Sequence, residues 1–390
     1  MITLSGITAS STHLSANEIK ITGTSSGIPA GATEYKILLK IESLDGKLFG
    51  APFIDAGAPK SDGTFDFDIS GYVDQPVAKT ISWPMVGFNN SQPQMLFSIS
   101  VTPGERYVDE EGNLQESFGS SVSPVFIVKG ALPEWRLSEL NDAGTNWNDY
   151  YCNGRNFLTL MPRTQKVSPY QPVKLWWKSN SASESVTAVT TVYYSDGTSA
   201  VHNQEFTALD RLLFEFDISL EHNGILPDQG TKRVEKYTFT IGGETFTFNL
   251  DWTPMERYYY LFTDNQIGGI DCIWLSGRLK YEPTGERTIV AKPRKYGAGV
   301  KVPGKSVSGN TRTRRWIINS GFKPDESEFL DILLDSPAAW LALPPRNGNR
   351  GWNNTAYKVF PVIVQSTNLS LLDDMANNMD NVDLEIIEAY

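Results

Sequence analysis

The chain has 390 residues, a formal net charge of −11 at pH 7, and 40% hydrophobic and 12% aromatic residues. That apolar fraction excludes wholesale disorder, the length allows several buried cores, and the acidic balance excludes general affinity for nucleic acid or anionic membranes. No run of about 18 apolar residues occurs, so no membrane insertion is expected. The first residues show no basic-then-apolar leader, and the two cysteines, Cys152 and Cys272, support no disulfide framework; a cytoplasmic site of synthesis is expected.

Residues 1–129 carry short β-prone runs at 18–22, 35–41, 65–69, 95–101 and 125–128, separated by Gly, Pro, Asn, Asp and Ser. Leu44-Asp45-Gly46 and Ser61-Asp62-Gly63 have the composition of hairpin turns. Strands at this spacing without helices between them predict a β-sandwich of immunoglobulin-like size. Residues 130–133 read as a linker.

A second sandwich is predicted over 134–252, with runs at 173–177, 186–194, 213–218, 237–241 and 245–250 and turns at Ser195-Asp196-Gly197 and Gly242-Gly243. One phrase repeats between the two stretches. Phe65-Asp66-Phe67-Asp68-Ile69-Ser70 is matched by Phe214-Glu215-Phe216-Asp217-Ile218-Ser219. Phe, Phe and Ile alternate with acids in both, as in a strand with one buried face.

Residues 255–390 form the third predicted domain. Strands are expected at 258–262, 273–275, 316–319, 338–343, 357–364 and 382–387, with a turn at 265–271. One helix is predicted, over 324–335. Pro324 suits its first turn, Asp325, Glu326 and Glu328 suit the positive end of its dipole, and Phe329, Ile332 and Leu333 make its apolar stripe. Ser336-Pro337 stops it. Over 278–315 the charge changes sign: Lys292, Arg294, Lys295, Lys301, Lys305, Arg312, Arg314 and Arg315 belong to a stretch whose only acids are Glu282 and Glu286. With Tyr296 opening a glycine-rich run, 292–310 reads as an extended arm. Its basic face is either solvated or an interface with an acidic copy of the chain.

The chemistry these residues could support is sparse. His13, His202 and His222 have no metal-ligand spacing, and no nucleophile elbow, Walker loop or dinucleotide fingerprint occurs, so no metal, no cofactor and no enzymatic activity are expected. Asp66, Asp68 and Asp217 read as solvent-facing acids of amphipathic strands rather than a glycosidase pair. Trp147, Trp176 and Trp177 form either a sugar platform or packing at a domain interface.

The last third resembles the tail-tube-like domain of tailed-phage tail proteins, above all distal tail (baseplate hub) proteins. The likeness rests on the basic, glycine-rich hairpin at 292–305, the strand at 316–319, the acid-capped helix and the strand at 338–343. Tyr357-Lys358-Val359-Phe360-Pro361 and the terminal strand at 382–387 complete it. The phrases at 65–70 and 157–163 are also similar to tail-region proteins of phages and prophages. Distal tail proteins usually carry this domain first, whereas here it comes last. The resemblance implies a mainly β fold, two immunoglobulin-like β-sandwiches followed by a tail-tube-like sandwich or barrel with one helix. It also implies a non-enzymatic virion protein forming a homo-oligomeric ring, commonly a hexamer, around the tail channel. Its partners would be the tail tube, hub and fibre or receptor-binding proteins. The rival reading is a monomeric, glycan-binding surface protein of stacked immunoglobulin-like domains.

Overall fold

The computed structural model describes residues 2–46, 48–74, 81, 89–91, 95–147, 150, 157–178, 184–208, 213–254, 257–291, 305–321, 336–344, 357–365 and 383–389. The chain is mainly β, and among the described residues there are two short helices and no sheet closes into a barrel. The helix expected over 324–335 lies outside the described residues.

The first stretch supplies β1 (Ile2–Ser5), β2 (Thr12–Leu14), β3 (Lys20–Ser25), β4 (Thr33–Ser43), β5 (Phe53–Gly57), β6 (Thr64–Asp68), α1 (Ser70–Val73), β7 (Asn89–Ser91), β8 (Leu96–Val108), β9 (Leu114–Phe118) and β10 (Val122–Val128). One sheet has the order β1-β3-β6, and the other β2-β10-β8-β4-β5 with β9 on the far end of β8. Alternate residues of both sheets meet in one core: Ile21 and Phe67 from the first, Ile37, Leu39, Phe97, Ile99 and Val125 from the second. That is a sandwich, held by the period-two burial of each strand. Leu44-Asp45-Gly46 links the paired strands β4 and β5. Ser61-Asp62-Gly63, expected to close a hairpin, instead carries the chain from β5 in one sheet to β6 in the other, because the Phe65 and Phe67 strand pairs with β3.

The second stretch, expected to be a β-sandwich from residue 134, begins instead with a helix, α2 (Glu134–Asp142), directly after the linker expected over 130–133. Pro133 stands at its N-cap with no side-chain cap hydrogen bond, Glu134 in its first turn suits the positive end of the helix dipole, and Leu140 is buried. The strands are β11 (Thr164–Val167), β12 (Lys174–Lys178), β13 (Glu184–Tyr194), β14 (Ser199–Ala208), β15 (Leu213–Asp217), β16 (Val234–Ile241) and β17 (Glu244–Leu250). Gly242 and Gly243, with φ of 57° and 83°, turn β16 into β17 as a two-residue hairpin requires.

The strand order repeats. The larger sheet here runs β11-β17-β16-β13-β14, and in both stretches the first of these strands is parallel to the last of its stretch. The matched phrases fall on corresponding strands, β6 and β15. Asp68 accepts hydrogen bonds from the Ser70 amide and hydroxyl (3.0 Å each), and Asp217 from the Ser219 amide and hydroxyl (3.1 and 2.5 Å). Lys20 pairs in register with Asp68 and binds Asp66 at 3.2 Å, while Lys174 pairs with Asp217 and binds Glu215 at 2.5 Å. The smaller sheet of the second stretch has the order β12-β15-β7, so the first stretch lends it an edge strand.

The third stretch holds β18 (Tyr259–Asp264), β19 (Ile270–Leu275), β20 (Leu279–Tyr281), β21 (Thr284–Ala291), β22 (Lys305–Thr313), β23 (Arg315–Asn319), β24 (Ala339–Leu343), β25 (Lys358–Val364) and β26 (Asp383–Glu388). Seven of them form one sheet, β19-β18-β24-β25-β26-β23-β20, and β21 pairs with β22 alone. One face of the sheet buries Leu261, Ile273, Ile318, Leu341 and Ile386. The other face joins a core drawn from all three stretches, with Leu96, Phe126 and Val128, Trp147 and Trp176, and Tyr260, Phe262 and Ile267. At this junction Asp271 is buried and accepts hydrogen bonds from the Thr159 hydroxyl (2.5 Å), the Leu160 amide (3.0 Å) and the Asn265 amide group (3.0 Å). Burial pushes its carboxyl up to about 6 despite those three donors.

Candidate functional site

The seven-stranded sheet curls because β19 runs on into β20 and changes partner. Its upper part pairs with β18. Past Leu275, the Ser276 and Gly277 amides donate to the Ser320 and Asn319 carbonyls (3.3 and 3.1 Å), and β20 then pairs with β23. The passage needs a residue without a side chain: a Cβ on Gly277 would lie 2.5 Å from the Asn319 carbonyl oxygen. Beyond β20 and β23 the same two chains continue as β21 and β22, from Thr284 opposite Thr313 to Ala291 opposite Lys305. At about 3.4 Å per residue, eight residues carry this ribbon roughly 25 Å past the sheet.

Where the ribbon leaves the sheet, a groove of about 830 Å³ opens. Tyr259, Tyr281, Trp316 and Phe360 supply its aromatic surface, and Arg257, Arg314 and Lys358 its charge. Trp316 is buried beneath Tyr281 and Phe360, with ring centroids 6.0 and 5.5 Å away. Tyr259, Trp316 and Phe360 stand on the face of the sheet that packs into the core, so the alternation that fills the core also paves the groove, while Tyr281 is exposed at its edge. The Arg314 guanidinium lies 5.1 Å from the Phe360 ring centroid and binds Glu388 at 2.9 Å. Arg315 binds Glu385 at 2.8 Å. Arg257 and Lys358 are exposed at the rim. A surface of this kind suits a partner that offers carboxylates beside apolar groups.

Of the residues expected to form an interface, Lys292, Arg294, Lys295, Tyr296 and Lys301 lie outside the described residues. Lys305 and Arg312 fall on β22, opposite Ala291 and Gly285. Arg314 and Arg315 meet Glu388 and Glu385 of β26, acids too distant in sequence to be matched with them by reading alone. Arg257, Tyr259, Tyr281, Lys358 and Phe360 were not anticipated as a site; the alternation in 357–361 was the available signal.

Trp147 and Trp176 are buried in the core shared by the three stretches, and Trp177 packs in the second core 6.0 Å from Phe214. Their relative exposures of 7%, 1% and 5% leave no open face for a sugar. Asp66 and Asp217 lie in different sheets, and Asp66 is held by Lys20, Lys60 and Thr22. Among the described residues no three of His, Cys, Asp and Glu converge as metal ligands, and no helix is long and apolar enough to cross a membrane.

No family model matches the chain, and no curated protein matches it. Two solved structures of Salmonella alpha-2-macroglobulin are similar, one of a mutant at 10% identity and one reacted with methylamine at 9%. Each comparison covers 99% of this chain and 31% of that one, with TM-scores of 0.19 and 0.18. This chain thus spans about a third of those proteins, and a likeness so low carries no argument about fold or function.

Proposed function

We propose that the chain is a structural subunit of a phage tail, of the distal-tail or baseplate-hub type or of an adaptor ring beside it, that assembles around the tail channel through its last third. The observation that carries this reading is the ribbon β21–β22, which pairs with no other strand among the described residues. A two-stranded ribbon alone is marginal in water and gains its stability from a surface it packs on. Its strands belong to the basic stretch of an otherwise acidic chain, so a neighbouring copy offers that surface and the attraction to reach it. The role is structural rather than catalytic. The two preceding sandwich-like stretches would project from the ring and carry fibre or receptor-binding proteins, in a virion assembled in the bacterial cytoplasm.

Light scattering after size exclusion, with negative-stain images of the peak, tests the reading. A closed ring, six subunits on the resemblance above, is the expected result. Deleting 292–310 should leave a folded protein that no longer assembles. A deletion variant that still forms rings would overturn the role given to the arm.

A further inference from the structure

We propose that a cleft between the 13–19 segment and α2 receives the basic tip of the β21–β22 ribbon, residues 292–304, from a second copy of this chain; this deepens, and rests on, the ring reading above. The cleft holds about 700 Å³, the size of an ordinary ligand pocket. One wall is the face of α2 that carries Glu134, Leu137, Ser138 and Asn141, a spacing that the helical repeat places on one side. The other wall is the chain from His13 to Ile19. Leu14, Leu140 and Trp147, all buried in the junction core, make the floor.

Hydrogen bonds fix the two walls against each other. The Asn17 side chain donates to the Leu132 carbonyl (2.7 Å) and accepts from the Leu132 amide (2.8 Å), just ahead of the helix. The Ala16 amide donates to the Gly130 carbonyl (3.0 Å), and the Ser15 hydroxyl to Asp74 (2.7 Å). A cleft held in this way is formed before its partner arrives, so binding loses little to ordering it. Its exposed charge comes from Glu18 and Glu134, neither of which has a hydrogen bond or ion pair among the described residues. His13 does not offset them. Burial holds its pKa below the usual 6.5, so the ring, 2.9 Å from the Ser11 hydroxyl, is neutral at pH 7.

The ribbon tip has the complementary composition. It joins Ala291, the last residue of β21, to Lys305, the first of β22, and these two pair. Its sequence holds Lys292, Arg294, Lys295 and Lys301 together with Tyr296, and no acid occurs from Arg287 to Lys323. Tyr296 would enter over the apolar floor, with its hydroxyl toward the Ser138 and Asn141 wall, while Arg294 and Lys295 meet Glu18 and Glu134. The cleft thus offers a two-stranded ribbon the surface it needs. Tip and cleft are different surfaces, so the contact is head-to-tail and forms a ring when its rotation closes.

The test uses the full chain in three forms: wild type, a cleft variant carrying Glu18→Lys and Glu134→Lys, and a tip variant carrying Arg294→Glu and Lys295→Glu. Association is followed by sedimentation velocity over a range of concentrations, after melting curves establish that each form is folded. Each variant should associate at least about tenfold more weakly than wild type, because like charges then face each other. An equimolar mixture should recover the wild-type assembly, since the two variants, alternating, bring every cleft to a tip of opposite sign. Recovery also separates this contact from a tip folded into the cleft of its own copy, which mixing would not restore. If a reversal lowers the melting temperature, Glu134→Gln and Lys295→Gln replace it, and each should still weaken association. Wild type that assembles while either variant assembles equally well, or a mixture that does not recover, overturns this contact and leaves the ring reading standing. A wild type that stays monomeric at every concentration overturns both.

Discussion

Lys20 and Lys174 hold the same place in two copies of one local design, each diagonal to an acid on the neighbouring strand, but their surroundings differ. Lys174 and Glu215 are buried, with side-chain exposures of 1% and 0%, while Lys20 is 56% exposed. Breaking a buried pair strands a charge without solvent, so Lys174→Ala or Glu215→Gln should cost about 3–5 kcal/mol in urea unfolding. Asp66→Asn should not be resolved from wild type in the same experiment, because water already screens that pair. Asp271 gives a second measurement at this scale. Its carboxyl is raised from 3.8 to about 6, so the folded state holds its proton more tightly than the unfolded chain. The stability this supplies is fully present below the unfolded value and is lost as pH rises through 6. Asp271→Asn keeps an acceptor but turns an N–H towards groups that are themselves donors, a loss of about 1–3 kcal/mol. The variant's deficit against wild type should be larger at pH 4.5 than at pH 7.5, by about 2 kcal/mol. An equal deficit at both pH values would mean that Asp271 does not titrate at the junction.

At the scale of the element, strands were legible wherever one face alone is buried. The runs read at 35–41, 186–194 and 316–319 lie within β4, β13 and β23, because alternation records the buried face directly, whereas the run at 213–218 falls on β15, where Glu215 and Asp217, expected to face solvent, are buried as well. Edges were harder. β9 is exposed along its whole length and β20 has three residues, so neither carries an apolar pattern to read. The turn Ser61-Asp62-Gly63 shows a different limit: its composition marks a reversal but not whether the next strand rejoins the same sheet. α2 offered no apolar stripe, since Leu140 is its only buried residue, and its start was signalled by Pro133 and Glu134 alone. The groove was invisible for a further reason. It is assembled from β18, β20, β23, β24 and β25, and only the partner change at Gly277 brings these strands around one opening. Gly277→Val should therefore unseat β20 from β23, and faster amide exchange at Lys280 would report it, with exchange in β13 unaltered.

At the scale of the whole molecule, the repeated strand order was foreshadowed by six matched residues, and its extent came from topology. The two larger sheets share an order, yet their smaller sheets differ at one edge, where β7 lies against β15. A fragment beginning at residue 134 lacks that strand, so the amide of Glu215, which faces β7, should exchange faster in it than in the full chain while those of Phe214 and Phe216, which face β12, stay protected, and equal protection of Glu215 would show the borrowed strand to be dispensable. The loan also has a timetable. Asn90 pairs with Glu215, which is made about 125 residues later. At roughly 5–20 residues per second, the first strand waits on the order of ten seconds for its partner to leave the ribosome. Throughout that interval a second nascent chain on the same messenger could claim it, so slow translation between these two points would favour entangled pairs over single molecules.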